Sequence, residues 1–280
     1  MTLDNNWFTE VADDIGSAFS LKIKARLEAV QTPFQNIEIY DTTHYGKLMI
    51  IDGYTMVSTV DNFLYHEMMS HPVLYTHPQP EKVLIIGGGD CGTLQQVLKH
   101  PEVRLAQQVD IDEQVTRLAE KYFPELCTDN NDPRAELHFA DGLKWVKDAA
   151  DGYYDIIIVD STDPVGPAEG LFNEAFYRDC RRALGAQGLL CQQSESPLSH
   201  VKLIGEMKQA MRAAGFAHTH TFDFPQPLYP SGWWSATMAG ADGAFDGFRE
   251  AAARDKPFAT KFYSHARHQV VMEGVPFLNQ

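Results

Sequence analysis

The sequence of 280 residues lacks several features that would place it in a specialised class of protein. Its four cysteines, Cys91, Cys127, Cys180 and Cys191, are widely spaced and include no CxxC pair. This pattern fits neither a disulfide framework nor a metal site, and it favours a reduced, cytoplasmic protein. No apolar run approaches the roughly 18 residues of a membrane-spanning helix, and the acidic N-terminus lacks the apolar segment of a secretory signal.

Basic residues are also scarce. Lys and Arg total 23 against 38 Asp and Glu, so the formal net charge is −15. Such an excess of acid argues against binding nucleic acid or an anionic membrane, and it favours cationic partners. Composition alone favours the simpler interpretation that the acidic residues keep the protein soluble.

Two patterns follow one another along the chain. Residues 18–60 contain short β segments separated by turn signals such as QTP, THYG and DG, and a helix-like segment follows in which Phe63 and Met68 are spaced for one apolar face. From residue 82, strand-like and helix-like segments alternate, which predicts a doubly wound, Rossmann-type parallel sheet with helices on both faces. We expect an N-terminal antiparallel β region with a linking helix in residues 1–78 and an α/β domain in residues 79–280. The mixed tail after residue 240 matches no element clearly.

Acidic residues come directly after the predicted strands. In an open α/β sheet, ligands bind outside the carboxyl ends of the strands, so acids gathered there indicate a site rather than a solvated surface. These residues are Asp90, Asp110, Asp112, Asp141, Asp160 and Asp163.

The segment GGGDCG, from Gly87 to Gly92, matches G-x-G-x-x-G between a predicted strand and a predicted helix, and Asp110 lies 18 positions beyond Gly92. Gly87 and Gly89 would let the backbone approach a nucleoside-containing ligand, and Asp110 would bind ribose hydroxyls. Nicotinamide enzymes and S-adenosyl-sulfonium enzymes share this pattern. Asp90 inside the loop would repel a pyrophosphate and attract an amine or a sulfonium, so the residues favour an adenosyl sulfonium over a dinucleotide.

Seven sequence blocks lie between residue 7 and about residue 240, and they are WFTE, YHEM, VLIIGGGDCG, VDIDE, ADG, DSTDPVGPAEGLF and YPSG. Together, and in this order, they resemble the polyamine aminopropyltransferases. The resemblance implies a methyltransferase-like α/β domain after an N-terminal β region. It also implies transfer of the aminopropyl group of decarboxylated S-adenosylmethionine to putrescine, with that donor as a co-substrate and no prosthetic group.

The resemblance assigns donor-binding roles. Asp90 would bind the amine of the aminopropyl arm. The nucleoside would be held by Gln35, His66, Asp110, Asp141 and Gly142, and the adenine pocket would be lined by Pro167, Ala168 and Leu171.

The acceptor amine has a pKa of roughly 10 when free, so it arrives protonated and a base must remove its proton. Asp160 ends an apolar strand, where desolvation can raise its pKa, and we expect it to be that base with Tyr65 orienting it. The acceptor would be anchored by Asp163 and Tyr229, aided by Gln193, with Trp7 as an aromatic wall for a cation.

The chain departs from the usual family pattern at several positions. Cys91 stands where the loop usually has glycine, and Asp110 where the acid is usually Glu. Met56 and Thr59 occupy positions that usually carry Gln and Glu, and Met56 removes a polar contact near the donor's chain.

Other functions remain open at this stage. They are an S-adenosylmethionine-dependent amine methyltransferase, an aminopropyltransferase acting on cadaverine or agmatine, and a non-catalytic polyamine-binding relative. In this reading Asp90 disfavours the methyltransferase, because the carboxylate of the intact donor would face another carboxylate. The resemblance also implies a homodimer or higher homo-oligomer.

Overall fold

The computed structural model describes residues 3–13, 15–162, 170–241 and 243–278. Three residues of the expected site, Asp163, Pro167 and Ala168, lie outside this described part. The strands are β1 (Trp7–Ala12), β2 (Ser17–Gln31), β3 (Asn36–Thr42), β4 (Lys47–Ile51), β5 (Tyr54–Ser58), β6 (Lys82–Gly87), β7 (Leu105–Asp110), β8 (Ala135–Phe139), β9 (Tyr154–Asp160), β10 (Leu184–Gln193), β11 (His218–Pro225) and β12 (Trp233–Gly240). The α-helices are α1 (Asn62–Thr76), α2 (Gly92–Leu98), α3 (Glu113–Tyr122), α4 (Gly142–Asp148), α5 (Glu174–Ala183), α6 (Val201–Ala213), α7 (Glu250–Arg254) and α8 (His265–Glu273).

The N-terminal strands form a five-stranded antiparallel sheet in the order β1-β2-β3-β4-β5. The sheet begins at Trp7, earlier than the sequence pattern indicated, because β1 pairs with the first half of the long strand β2. Its inner face packs against helix α3, where Ile39 and Met49 of the sheet form one apolar cluster with Val115 and Leu118 of the helix. The N-terminal sheet therefore forms one wall against the α/β region.

The second sheet has seven strands in the order β11-β12-β10-β9-β6-β7-β8. The five strands from β10 to β8 are parallel, while β12 runs antiparallel to β10 and β11 forms a hairpin with β12. This arrangement confirms the expected doubly wound, methyltransferase-like fold with a small N-terminal antiparallel β region. The strand order reverses between β6 and β9, and ligands of such sheets bind in the crevice at that reversal.

Helix α1 was expected to have a single apolar face, and that expectation was wrong. All of its residues except Phe63 are buried. Met68, Met69 and Val73 join Ile85 of β6 in the largest apolar cluster, so α1 packs on the seven-stranded sheet. A helix enclosed on all sides needs no polar face. The predicted domain boundary between residues 78 and 79 stays a prediction.

The tail that the sequence left unassigned encloses the outer side of α1. It contains a short 3-10 helix (Ala244–Gly247), α7 and α8, and its residues Tyr263 and Val271 join the apolar cluster around α1. The buried carboxylate of Glu67 accepts hydrogen bonds at 2.8 Å from the backbone N–H groups of residues 261, 262 and 263. Within the part of the chain that the structure describes, no helix has the length and apolarity needed to cross a bilayer.

Candidate active site

A cavity of about 220 Å³ lies at the carboxyl ends of β6 and β9, where the order of the strands reverses. The N-terminal sheet closes it from the other side through Met49 and Met56. Most of the described residues that the sequence placed in the site lie in its wall. They are Gln35, Tyr65, His66, Gly87, Gly89, Asp90, Asp110, Asp141, Gly142, Asp160, Leu171 and Tyr229.

The glycine loop lies tightly against the end of β9. Gly87 pairs with Asp160 across the sheet, and the N–H of Gly88 donates to the backbone oxygen of Asp160 at 2.7 Å. Gly87 has a φ of +80°, and a Cβ there would overlap that same oxygen. Cys91 also has a positive φ, 69°, so this chain keeps the loop conformation with a small buried side chain in a left-handed position.

Asp160 is held from both sides by hydroxyl groups. Tyr65 Oη donates to Oδ1 at 2.7 Å, and Thr93 Oγ1 donates to Oδ2 at 2.6 Å. Burial, followed by the negative charge of Asp90, raises the pKa of Asp160, and the neighbouring His66 and the two hydroxyls offset only part of that rise. The result is an oriented carboxylate that is a stronger base than an ordinary Asp.

Tyr65 keeps its proton as the donor of this pair. Burial and the nearby charge of Asp160 raise the pKa of Tyr65 well above its usual value. Its ring lies edge-on to that of Tyr229, with 5.9 Å between the ring centroids, and the hydroxyl of Tyr229 donates to the backbone oxygen of Met56 at 2.9 Å. The two tyrosines therefore form one aromatic wall beside the Asp160 carboxylate.

Asp90 and His66 form a second polar pair. His66 Nε2 lies 3.0 Å from Asp90 Oδ2, while Asp90 Oδ1 accepts from the N–H of Gly92 at 2.8 Å. Burial lowers the pKa of His66, but Asp90 and then Asp160 outweigh it, so the pKa is raised overall. A Cβ at Gly92 would overlap the His66 ring, so glycine is required there for the ring to pack.

Two further carboxylates lie at the ends of β7 and β8. Burial raises the pKa of Asp110 to about 6, although its Oδ1 accepts from the N–H of Asp112 at 2.8 Å. Asp141 caps α4 by accepting from the N–H groups of Leu143 and Lys144 while also lining the cavity. Both side chains can accept hydrogen bonds from the hydroxyl or amino groups of a nucleoside.

Asp112, which the sequence grouped with the strand-end acids, does not line the cavity among the described residues. Its Oδ2 accepts from Thr32 Oγ1 at 2.7 Å and from Gln35 Nε2 at 3.0 Å, and its Oδ1 caps α3. Asp112 therefore joins α3 to the N-terminal sheet. In doing so it positions Gln35, which does line the cavity.

Two expected acceptor residues lie elsewhere. Neither Trp7 nor Gln193 is among the described residues that line the cavity. Trp7 is partly exposed in β1, and Gln193 is buried at the end of β10, where its Oε1 accepts from the N–H of Glu195 at 3.1 Å. Three residues of the site were not expected from the sequence. Thr93 donates to Asp160, and Asn62 and Gln226 line the cavity. Thr93 at the start of α2 carried the one usable signal, since a hydroxyl after the glycine loop faces the same edge of the sheet.

The same elements are found in known proteins. Residues 62–246 match the family model described as the spermine/spermidine synthase domain, and residues 6–59 match the one described as the spermidine synthase tetramerisation domain. The chain belongs to the spermine/spermidine synthase family. The family is that of the polyamine aminopropyltransferases, so the resemblance seen in the sequence blocks is confirmed.

Relatives in this family resemble the chain over nearly its whole length. The polyamine aminopropyltransferase of Methylococcus capsulatus is 66% identical over 264 residues, covering 94% of this chain and 92% of the relative. That of Thioalkalivibrio sulfidiphilus is 64% identical over 267 residues, covering 95% and 94%. The protein is thus an enzyme of the aminopropyltransferase class.

Two solved members of the family share the fold. A spermidine synthase in complex with the transition state analogue AdoDATO superposes with a TM-score of 0.92 at 32% identity, covering 99% of this chain and 95% of that one. The spermidine synthase from Thermotoga maritima gives 0.90 at 33% identity, covering 97% and 92%.

Proposed function

We propose that the enzyme transfers the aminopropyl group of decarboxylated S-adenosylmethionine to putrescine, giving spermidine and methylthioadenosine. The observation that carries this proposal is the carboxylate of Asp160, which is held by Tyr65 and Thr93, has a raised pKa and lies in a cavity wall beside Asp90. Membership in the aminopropyltransferase family supports the same reaction.

The donor would lie along the carboxyl ends of β6, β7 and β8. Asp110 accepts hydrogen bonds from the ribose hydroxyls, and Asp141 with the adjoining Gly142 accepts a hydrogen bond from the exocyclic N–H of adenine. Leu171, together with Pro167 and Ala168, would line the adenine pocket. Gln35 and His66 would also contact the nucleoside, and both of them line the cavity.

Asp90 would bind the amine of the aminopropyl arm. Its carboxylate belongs to the glycine loop, accepts a hydrogen bond from one backbone N–H group and pairs with the side chain of His66. A cationic amine adds a second favourable charge, since an opposite charge within roughly 4–6 Å stabilises a carboxylate. The intact methionine donor would instead place its own carboxylate against Asp90.

In the reaction, Asp160 takes a proton from the acceptor ammonium. The freed lone pair of nitrogen attacks the carbon bound to the sulfonium sulfur, the carbon–sulfur bond breaks, and its electrons go to sulfur. The leaving thioether is neutral and needs no general acid. The hydroxyl of Tyr65 keeps the Asp160 carboxylate oriented toward the acceptor, and positioning of the two substrates supplies much of the remaining rate.

The acceptor would lie near the wall formed by Tyr65 and Tyr229, with Asp163 and Tyr229 as anchors. Roles for Trp7 and Gln193 stay predictions, because neither lines the described cavity. The Met56 departure leaves the hydrogen bond of Tyr229 intact, because that bond uses the backbone oxygen of Met56. Thr59 donates to the backbone oxygen of Tyr45 at 3.3 Å, outside the cavity wall.

Assembly into a homodimer or higher homo-oligomer is part of the proposal. It is supported by the match of residues 6–59 to the tetramerisation domain. Gel filtration with light scattering would test it, and a monomer at micromolar concentration would contradict it. The cytoplasmic location stays a prediction from cysteine usage.

The decisive experiment offers the enzyme decarboxylated or intact S-adenosylmethionine with a panel of putrescine, cadaverine, agmatine and spermidine, and identifies products by mass. Methylthioadenosine together with putrescine enlarged by one aminopropyl group is the expected result. S-adenosylhomocysteine with a methylated amine would contradict the proposal. A preference for cadaverine or agmatine would keep the reaction and change the substrate.

A further inference from the structure

Gln226 is a cavity residue with unused hydrogen-bonding capacity. It follows β11, is 1% exposed and lines the same cavity as Asp160. Its side-chain oxygen Oε1 has no hydrogen-bond partner within the described part of the chain. Buried side-chain polar atoms nearly always have a partner, so an exception in the wall of a binding cavity points to a group that a ligand satisfies.

The backbone of Gln226 fixes where this amide lies. Its N–H donates to the oxygen of Gly232 at 3.0 Å, and its own backbone oxygen accepts from the N–H of Tyr229 at 3.0 Å. The two residues therefore belong to one closed turn, and the turn presents both side chains to the cavity. Because Tyr229 contacts the ring of Tyr65, Gln226 lies near the base rather than with the nucleoside carboxylates at the ends of β7 and β8.

An amide suits one end of a diamine. Its oxygen accepts from an ammonium, and rotation by 180° exchanges oxygen and nitrogen with little change of shape. The acceptor needs its reacting nitrogen unprotonated at Asp160, whereas its other nitrogen stays protonated and carries three N–H donors. A neutral acceptor of hydrogen bonds near, but distinct from, Asp160 can hold that second nitrogen without competing for the proton of the first.

We propose that Gln226 is a specificity-determining residue that binds the non-reacting nitrogen of the acceptor amine. This inference rests on the proposed aminopropyl transfer. It makes the preferred substrate class an amine with a second nitrogen within reach of the turn. The length of that amine is then set by the span between the carboxylate of Asp160 and the amide of Gln226.

The test compares Gln226→Met, which has similar volume and no hydrogen-bonding oxygen, with Gln226→Glu, which keeps oxygen acceptors. Release of methylthioadenosine is the assay, and it gives KM for putrescine and KM for the donor in separate titrations. We expect Gln226→Met to raise KM for putrescine roughly 10- to 100-fold, as loss of a hydrogen bond to a charged group predicts, with donor KM within about twofold of wild type. Gln226→Glu should keep a putrescine KM within about tenfold of wild type.

Gln192→Met is the matched control. Gln192 is also fully buried and its Oε1 also lacks a partner, but it lies in β10 and is not among the described residues that line the cavity. Its replacement should leave KM for putrescine unchanged. Thermal unfolding is recorded for all variants, because a structural role would lower the melting temperature of Gln226→Met and alter both KM values together.

An unchanged putrescine KM in Gln226→Met would overturn the inference. So would a parallel rise of both KM values with a lower melting temperature, or a rise in Gln226→Glu as large as that in Gln226→Met. Failure of the proposed function has a different signature, since wild-type enzyme would then release no methylthioadenosine with any amine.

Discussion

Replacing Asp160 by asparagine tests the base directly. The substitution keeps the shape of the side chain but removes its ability to take a proton. Both hydroxyl neighbours can adapt, because Tyr65 can continue to donate to the remaining oxygen while the hydroxyl of Thr93 turns to accept from the new amide. The cavity should therefore keep its shape, while residue 160 can no longer take a proton from the acceptor.

The expected loss follows from the role of the carboxylate. General base catalysis contributes roughly 10²- to 10⁴-fold, which equals about 3–5 kcal/mol of the activation barrier at about 1.36 kcal/mol per factor of ten. Stability should not fall with activity. The charge of Asp90 and burial both disfavour an ionised Asp160, so a neutral amide removes a repulsion from the folded state.

Turnover is assayed as release of methylthioadenosine from decarboxylated S-adenosylmethionine and putrescine between pH 5 and 9. In the wild type, the rate should fall on the acidic side at a pH above the ordinary carboxyl range, because the pKa of Asp160 is raised. The Asp160→Asn variant should have a much lower rate, and its pH–rate profile should no longer show this fall on the acidic side. Donor affinity, measured by calorimetry, should stay within about threefold, since Asp160 is not assigned to the nucleoside.

Asp155→Asn provides the control because Asp155 lies on the same strand at the opposite end of the sheet. There its Oδ2 accepts from the N–H groups of Glu81 and Lys82. This variant should change stability without changing turnover of the folded enzyme. If Asp160→Asn kept more than about a tenth of wild-type turnover, the base assignment would be wrong.

Three further predictions use the same cavity. Tyr65→Phe removes a hydrogen bond that lowers the pKa of Asp160. The acidic limb of the pH–rate profile should therefore move to higher pH, and turnover should be about tenfold lower. A move of this limb to lower pH would contradict the role given to the contact. Asp110 has a folded-state pKa of about 6, above its value of 3.8 when free, so its stabilising contribution is complete below pH 4 and is lost as the pH rises through 6. In urea unfolding, the free energy of unfolding of Asp110→Asn should therefore rise relative to that of the wild type by up to about 3 kcal/mol as the pH increases over that range. A difference that stays constant with pH would refute this. Gly92→Ala should lower the free energy of unfolding by about 1–3 kcal/mol, because the new methyl group overlaps the His66 ring. Gly205→Ala, in open space on α6, should instead raise the free energy of unfolding in the same urea measurement.

The strands and the edge that carries the site could be predicted from the sequence. Apolar runs with an acid at or shortly beyond their end indicated β6, β7 and β9, and parallel strands necessarily bring their carboxyl ends together. Asp90, Asp110, Asp141 and Asp160 consequently meet in one cavity. The resemblance then supplied partners from separate elements, such as Tyr65, which lies 95 positions from Asp160 along the chain.

Features that depend on tertiary contact were missed. Strand β1 is short and acquires its structure by pairing with β2, so its own residues give a weak signal. Asp112 follows a strand as the acidic residues that line the cavity do, yet its position one residue before α3 makes it a cap. Nothing in the local pattern distinguishes Gln226 from other turn residues, because what sets it apart is a buried side-chain oxygen without a partner among the described residues.

Glu67 gives the tail an influence over the cavity that its distance from any substrate would not suggest. The residue follows Tyr65 and His66 directly on α1, and its carboxylate is occupied by three backbone N–H groups of residues 261–263. A cut in that segment, or a proline that removes one of these N–H groups, would leave a buried negative charge short of donors, and the helix would have to shift to rehydrate it. A mutational survey ranked by distance from the reacting atoms would therefore underestimate residues 261–263.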